Sequence, residues 1–322
     1  MINSSYFVKL IELKEVTREY NKVPVLQDVN MAIEEGELLS IIGPSGSGKT
    51  TLLNLISGFL EPTKGQVLYY SKITQKPEDL TRNLHRVKNR LGFTPQHNSF
   101  YPKLTVKENL LHFGDLHGLK RETLIANVKS LLQFTKLFDH GDKLAEDLSG
   151  GMQRRLDISC SLVHKPKLLL LDEPTAELDP KLQAEILQLL QEVNKQGVTI
   201  VIASNQLDIV EKVSTKVALI HRSRVRMQGS LEEIRKPFLR DHFTINLHHI
   251  SNRIALLEAL KKMPVSRIVE EEGKVVVYPH NVEQTLQHIL AVIKQENLYL
   301  HDVDLRQPTL QEIFEKVTSD QL

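Results

Sequence analysis

The apolar positions change period along the chain, and each change marks an element. Alternation predicts strands over Val8 to Val16 and Val25 to Ile33. Three short continuous apolar runs follow at wide intervals: Leu38 to Ile42, Leu168 to Leu171 and Val198 to Ala203. Runs of that length without alternation predict strands buried on both faces, as in a parallel sheet. Helical spacing predicts a helix after the first run, over Thr51 to Ile56, and another after the third, over Asp208 to Val213. Ala218 to His221 reads as the next strand, well away from the loop that follows Ala203. From about His97 to Val163, Val106, Leu110, Leu111, Leu131 and Leu132 recur at helical spacing and predict a helical insertion.

After a break at Arg235-Lys236-Pro237 the pattern restarts. Phe243, Ile245 and Leu247 alternate, then Ile254, Leu257 and Leu260 recur helically. Strands over Val265 to Val269 and Val275 to Tyr278 flank a turn at Glu272-Gly273-Lys274. Val282, Leu286, Ile289 and Ile293 predict an amphipathic helix, and Val303 and Leu305 alternate again. Thr309 and Glu312 have capping-box spacing ahead of Leu310, Ile313, Phe314 and Val317, one apolar face. The expected fold class is α/β in two parts: a larger domain over residues 7–235, and a small β-α-β-β-α-β-α domain over residues 240–322.

Chemistry enters at the end of the first buried run. Gly43-Pro44-Ser45-Gly46-Ser47-Gly48-Lys49-Thr50-Thr51 is a complete G-x-x-x-x-G-K-[ST] phosphate loop between a strand and a helix, the context in which that motif is meaningful. Its glycines let successive N–H groups turn towards phosphate oxygens, and the helix adds its positive end. Lys49 is expected at the β/γ-phosphates of a nucleoside triphosphate, and Thr50 on Mg²⁺. The run Leu168 to Leu171 ends in Asp172-Glu173, so two carboxylates emerge where ligands bind parallel sheets. Asp172 is expected to hold Mg²⁺ and Glu173 to polarise the attacking water.

The segment Leu148-Ser149-Gly150-Gly151-Met152-Gln153, lying between the phosphate loop and Asp172, resembles the signature of the ABC ATPases. The resemblance implies an ABC-type P-loop NTPase in which residues of about 97–163 form a helical subdomain. It also implies that Ser149, Gly150 and Gly151 bind the γ-phosphate of ATP held by a second ABC subunit, as a homo- or heterodimer. A helix N-terminus with a small hydroxyl is a sound anion site, although the same string also serves as a plain capping turn.

By the same resemblance, Gln96 contacts Mg²⁺ and the attacking water, and Tyr20 stacks on adenine, its alternative being a half-buried strand tyrosine. Asp179 lies in the loop that crosses the dimer interface, and an Asp before Pro is also a natural helix cap. The family carries a histidine after the third buried run, where this chain has Asn205, which can donate a hydrogen bond but carries no charge. The tail, ending Pro308-Thr309-Leu310-Gln311-Glu312-Ile313-Phe314, resembles the appended domain of ABC-2 type drug and sodium exporter ATPases.

Composition narrows the partners. Among 322 residues, 41 basic and 40 acidic side chains leave a formal charge of +1, without the electrostatic footprint of a nucleic-acid binder. One cysteine, Cys160, sits among apolar neighbours as a structural thiol and excludes an internal disulfide framework. With no apolar run of membrane-spanning length and no signal-like start at Met1 to Tyr6, the membrane permease is expected on a separate chain. The subunit itself is expected in the cytoplasm, peripheral on the membrane's cytoplasmic face. The expected function is ATP-driven dimerisation and hydrolysis powering an exporter. The alternative is a nucleotide-gated partner subunit whose hydrolysis is weakened by Asn205.

Overall fold

β1 (Lys9–Tyr20) and β2 (Val23–Glu34) pair as an antiparallel hairpin across Asn21 and Lys22, both in the left-handed conformation that matches strand twist. They run further than the alternation suggests, because register shifts such as that between Leu13 and Val16 interrupt the period of two. The computed structural model describes residues 8–70, 77–83, 87–238, 243–246, 257–258, 265–271, 274–279, 282–295, 303–304 and 309–319. They fall into two units, Met1–Leu231 and Glu232–Leu322.

In the first unit, β4 (Lys64–Tyr70) and β5 (Pro77–Asp79) extend the hairpin into a sheet of order β2-β1-β4-β5. A second sheet contains β3 (Leu38–Ile42), β6 (Leu91–Thr94), β7 (Leu168–Asp172), β8 (Thr199–Ser204), β9 (Lys216–His221) and β10 (Arg224–Ser230), in the order β10-β9-β3-β8-β7-β6. Apart from the antiparallel edge β10, its neighbours pair in parallel. Every residue of β3, β7 and β8 is buried, as their unbroken apolar runs require.

The two faces of β7 feed two different cores. Leu168 and Leu170 pack with residues of α1 (Lys49–Ser57) and the hairpin, among them Leu52, Leu53, Ile11 and Leu26. Leu169 and Leu171 pack on the other side with Ile158 and Ile186. Period-two side-chain direction therefore makes one strand the shared wall of both layers.

The insertion is built from α2 (Val106–Leu116), α3 (Arg121–Phe134) and α4 (Gly150–Leu162) around a core of its own that includes Val106, Leu110, Leu124, Leu156 and Cys160. Burial pushes the Cys160 thiol well above its ordinary pKa, leaving it a packed hydrophobe. Thr105 and Glu108 close a capping box at the start of α2, and buried Asn109 bonds both the N–H and the C=O of Tyr101. α5 (Pro180–Lys195) and α6 (Leu207–Val213) complete the helices of the first unit, and α7 (Leu231–Arg235) begins at the boundary with the second. Among the described residues no helix is long and apolar enough to cross a membrane.

The second unit contains β11 (Phe243–Asn246), β12 (Val265–Glu271), β13 (Lys274–Pro279), α8 (Val282–Gln295), β14 (Val303–Asp304) and α9 (Leu310–Thr318), with Leu257 and Glu258 helical between the first two strands. Its sheet order β12-β13-β11-β14, with all pairs antiparallel, is that of a split β-α-β, ferredoxin-like fold. Thr309 and Glu312 form the expected capping box, with Leu310 and Ile313 buried. The expected positions Leu247, Ile254, Leu260, Gly273 and Leu305, with the start of the chain at Met1 to Tyr6, lie outside the described residues.

The helical insertion meets the sheet through two stacked imidazoles. His117, at the end of α2, and His164, just after α4, lie 3.6 Å apart at 9°. His164 Nε2 is 2.9 Å from the carbonyl of Leu91. Burial first, and His117 second, hold His164 down at about 4 against an ordinary 6.5. The unfolded chain therefore takes up this proton first, so stability is lost as pH falls from 6.5 towards about 4. Urea unfolding at pH 7 and pH 5 is expected to show the His164→Gln chain losing less stability than the parent, by up to about 2 kcal/mol.

Candidate functional site

Parallel pairing puts the C-terminal ends of β3, β8, β7 and β6 side by side, and the polar residues follow from those ends. The loop after β3 reaches α1 through Gly48, whose φ of 102° is open to glycine but strained for other residues. A Cβ there would lie 2.9 Å from Leu26 Cδ2 and 3.0 Å from the carbonyl oxygen of Val25. Gly43 is equally confined, since a Cβ would lie 2.6 Å from both Ser47 Oγ and the carbonyl oxygen of Ile220. The expected cradle Gly43 to Thr51 is thus a tight turn entering a helix N-terminus.

Lys49 is 7% exposed and folds back on the loop, donating to the carbonyls of Gly43 at 2.9 Å and Pro44 at 3.2 Å. Its Nζ lies 3.8 Å from Glu173 Oε1. Burial lowers its pKa, while Glu173 and Asp172 oppose that shift. Thr50 donates to Asp172 Oδ2 at 2.7 Å. Asp172 is 3% exposed, and its Oδ1 is buried with no hydrogen-bond partner among the described residues. A hydroxyl and a carboxylate oxygen lacking a donor form a hard-oxygen set of the kind that Mg²⁺ takes.

Glu173 has a φ of 45°, an uncommon conformation for a side-chain-bearing residue and one concentrated at functional sites. Its N–H donates to Ala203 at the end of β8. Its Oε2 accepts from Ser204 Oγ at 3.1 Å and from the backbone N–H of Asn205 at 3.3 Å. Asn205 therefore meets the carboxylate through its main chain, while its side chain is exposed. The next residue, Gln206, accepts a hydrogen bond from Thr175 Oγ1 at 3.0 Å, tying the loop after β7 to the loop after β8.

Lys49, Thr50, Asp172, Glu173 and Asn205 thus converge. Tyr20, Gln96, Asp179 and the segment Ser149 to Gly151 stand apart, joined to that cluster by no hydrogen bond or ion pair among the described residues. Tyr20 is exposed at the end of β1, with the Arg18 guanidinium 4.7 Å from its ring centroid. Asp179 caps α5 through the N–H groups of Lys181 and Leu182, both at 3.0 Å. Ser149 and Gly150 are exposed at the start of α4, and the Ser149 side chain makes no capping bond. Gln96 is exposed just beyond β6.

His221 lies, as expected, on the next strand and away from Asn205. It ends β9, which pairs with β3, so Ile220 and His221 flank the start of the phosphate loop. It is removed from Asn205 by two strand spacings, roughly 10 Å. Strand order, which the apolar run of β9 does not encode, brings it there. Ser204 and Thr175 were not singled out from the sequence; for Ser204 the available signal was a hydroxyl closing a buried strand immediately before Asn205.

Comparison with known proteins agrees with this geometry. Residues 26–176 match the family model described as ABC transporter, and residues 229–318 match that of the ATP-binding protein DrrA1-3-like C-terminal domain. The chain is 28% identical over 305 residues to the daunorubicin resistance ATP-binding protein DrrA3 of Streptomyces coeruleorubidus, covering 94% of each chain. It is 32% identical to the glutamine transport ATP-binding protein GlnQ of Escherichia coli (strain K12), over 75% of this chain and 100% of that one. The solved structure of cbiO1 from Clostridium perfringens, part of the ABC transporter complex cbiONQ, superposes with a TM-score of 0.64 at 32% identity, covering 72% of this chain and 96% of that one.

The confinement of Gly48 gives a direct test. Gly48→Ala is expected to destabilise the fold by about 1–3 kcal/mol and to weaken nucleotide binding, because strain and the Leu26 contact both distort the cradle. Urea unfolding alongside an ATP titration reads both effects.

Proposed function

The chain belongs to the ATP-binding proteins of ABC transporters, a family of transport-coupled ATPases, and on that premise we propose how its residues share the work. The carrying observation is the Thr50–Asp172 hydrogen bond beside a buried, unpartnered Asp172 oxygen, with Lys49 poised between loop carbonyls and Glu173. When ATP binds, Lys49 exchanges the Gly43 and Pro44 carbonyls for β/γ-phosphate oxygens. The loop from Gly43 to Thr51 wraps the phosphates, and Tyr20 stacks on adenine with its free ring face.

Thr50 and Asp172, with Gln96, are the residues that would hold Mg²⁺, which when bound neutralises charge on the phosphate oxygens. Glu173 takes a proton from the water that attacks the γ-phosphorus, as the bond to the bridging oxygen breaks and ADP departs. The hydrogen bonds from Ser204 and the Asn205 N–H keep that carboxylate oriented. Because residue 205 acts here through its main chain, loss of a histidine leaves this support intact, and the chain is an active ATPase rather than a weakened partner.

Two subunits complete each site. α4 runs along β6, with Ser161 bonded to Phe93 and Thr94, and β6 is three strands from β3. Ser149, Gly150 and Gly151 lie at the opposite end of α4 from Ser161, and no hydrogen bond or ion pair among the described residues joins them to their own phosphate loop. That separation supports a head-to-tail dimer in which the signature of one subunit faces the γ-phosphate of the other, with Asp179 at the interface. The dimer drives a membrane-spanning permease on a separate chain, from the cytoplasmic face. The DrrA-like tail, and a relative whose name assigns it to daunorubicin resistance, support an exporter of the ABC-2 type.

Lys49→Ala is expected to abolish MgATP binding in a calorimetric titration, whereas Glu173→Gln should bind normally and hydrolyse at least about 10²-fold more slowly. Unchanged affinity in the first, or unchanged turnover in the second, contradicts the assignment. Asn205→His is expected to change kcat by less than about tenfold, and a hundredfold gain would make Asn205 the limit on turnover.

A further inference from the structure

A second polar constellation lies outside the converging cluster, on the helix that begins with the signature. Arg154, on α4, is 6% exposed and spends its guanidinium on two successive carbonyls of the loop after β6. Nη1 donates to Pro95 at 3.1 Å and Nη2 to Gln96 at 2.8 Å. Asp157, one turn further on, is fully buried. Its Oδ1 accepts from both the backbone N–H and the hydroxyl of Ser99, at 3.0 Å and 2.6 Å, and its Oδ2 lies 3.5 Å from Arg154 Nη1.

Burying this pair is costly, and packing alone does not call for it, since apolar residues of similar volume fill such a space at least as well. Burial indeed works against both charges, raising the pKa of Asp157 and lowering that of Arg154. What the pair supplies that apolar residues cannot is direction. A planar fork grips adjacent carbonyls in one geometry, and a carboxylate grips the same loop three residues later. The loop is thus held at residues 95, 96 and 99 to one face of α4, whose first turn carries Ser149 to Gly151.

We infer that Arg154 and Asp157 are positioning residues that lock the backbone around Gln96 to the signature helix, so that the Gln96 side chain and the signature move as one piece. The inference rests on the assignment of Gln96 to the metal and water side of the site. Nucleotide closure that shifts α4 then carries Gln96 with it, and a displaced Gln96 is carried back to the signature of the same subunit. Arg154 touches no reactant; it acts through Gln96.

The test is a double-mutant cycle on steady-state hydrolysis by the full chain, using Arg154→Lys, Gln96→Ala and their combination. Lysine keeps the charge beside Asp157 but cannot span two carbonyls. Arg154→Lys is expected to lower kcat about tenfold, since small misplacements in an active site cost up to about 10²-fold, while KM and MgATP affinity stay within about twofold. In the Gln96→Ala background the same change should cost less than about twofold, because the residue it positions is gone. Ser99→Ala, which leaves the buried pair intact, should lower kcat in the same direction and also lose its effect beside Gln96→Ala. Losses that multiply overturn the inference, as does a fall in affinity equal to the fall in kcat. A Gln96→Ala chain as fast as the parent removes Gln96 from the site and the positioning role with it. A slowed Gln96→Ala chain with multiplying losses removes the positioning role alone.

Discussion

The parallel pairing of β3, β8, β7 and β6 is the constraint from which the rest of the site follows. Parallel strands end on the same edge, so the phosphate loop, Asn205, Asp172-Glu173 and Gln96 emerge in a row from four neighbouring strands. A ligand in the crevice outside that edge meets all four loops, the general address for α/β sheets. The register is held from both sides: β7 alternates its leucines between two cores, and a slip by one residue would turn each leucine towards the wrong layer and displace Asp172 from Thr50.

Within that frame the electrostatics prepare the site for an anion. Lys49, Asp172 and Glu173 are all largely removed from water, and for Lys49 the attraction of the two carboxylates only partly offsets the cost of burial. Lys49 makes do with two loop carbonyls and a carboxylate at 3.8 Å, and Asp172 keeps an oxygen without a donor among the described residues. On the proposed reading, a polyphosphate with its cation would relieve both deficits at once.

Much of this was legible in the sequence because the residues concerned act locally. The phosphate loop needs its glycines within one turn, and the runs ending at Ile42, Leu171 and Ala203 announce buried strands by composition alone. Asp179 and Thr309 cap helices through neighbours two or three residues away. What the sequence hid depends on distant backbone. Arg154 and Asp157 read as an ordinary polar stretch because their partners are main-chain atoms of Pro95, Gln96 and Ser99. Asn205 drew notice for its side chain, yet its contribution to Glu173 comes from an N–H that any non-proline residue would supply. The Ile220 carbonyl comes beside Gly43 through strand order, and the β12-β13-β11-β14 order of the tail likewise arises from pairing that no periodicity encodes.

On the proposed function, the sheet edge of one chain is half of a site, completed by the signature of another. Light scattering on the Glu173→Gln chain, with and without MgATP, tests it most directly, with Ser149→Arg added in the same background as a control. Monomers are expected without nucleotide, a dimer with MgATP, and monomers again once Ser149→Arg obstructs the opposing phosphate. Monomers in MgATP at high protein concentration, or a dimer indifferent to Ser149→Arg, would contradict it.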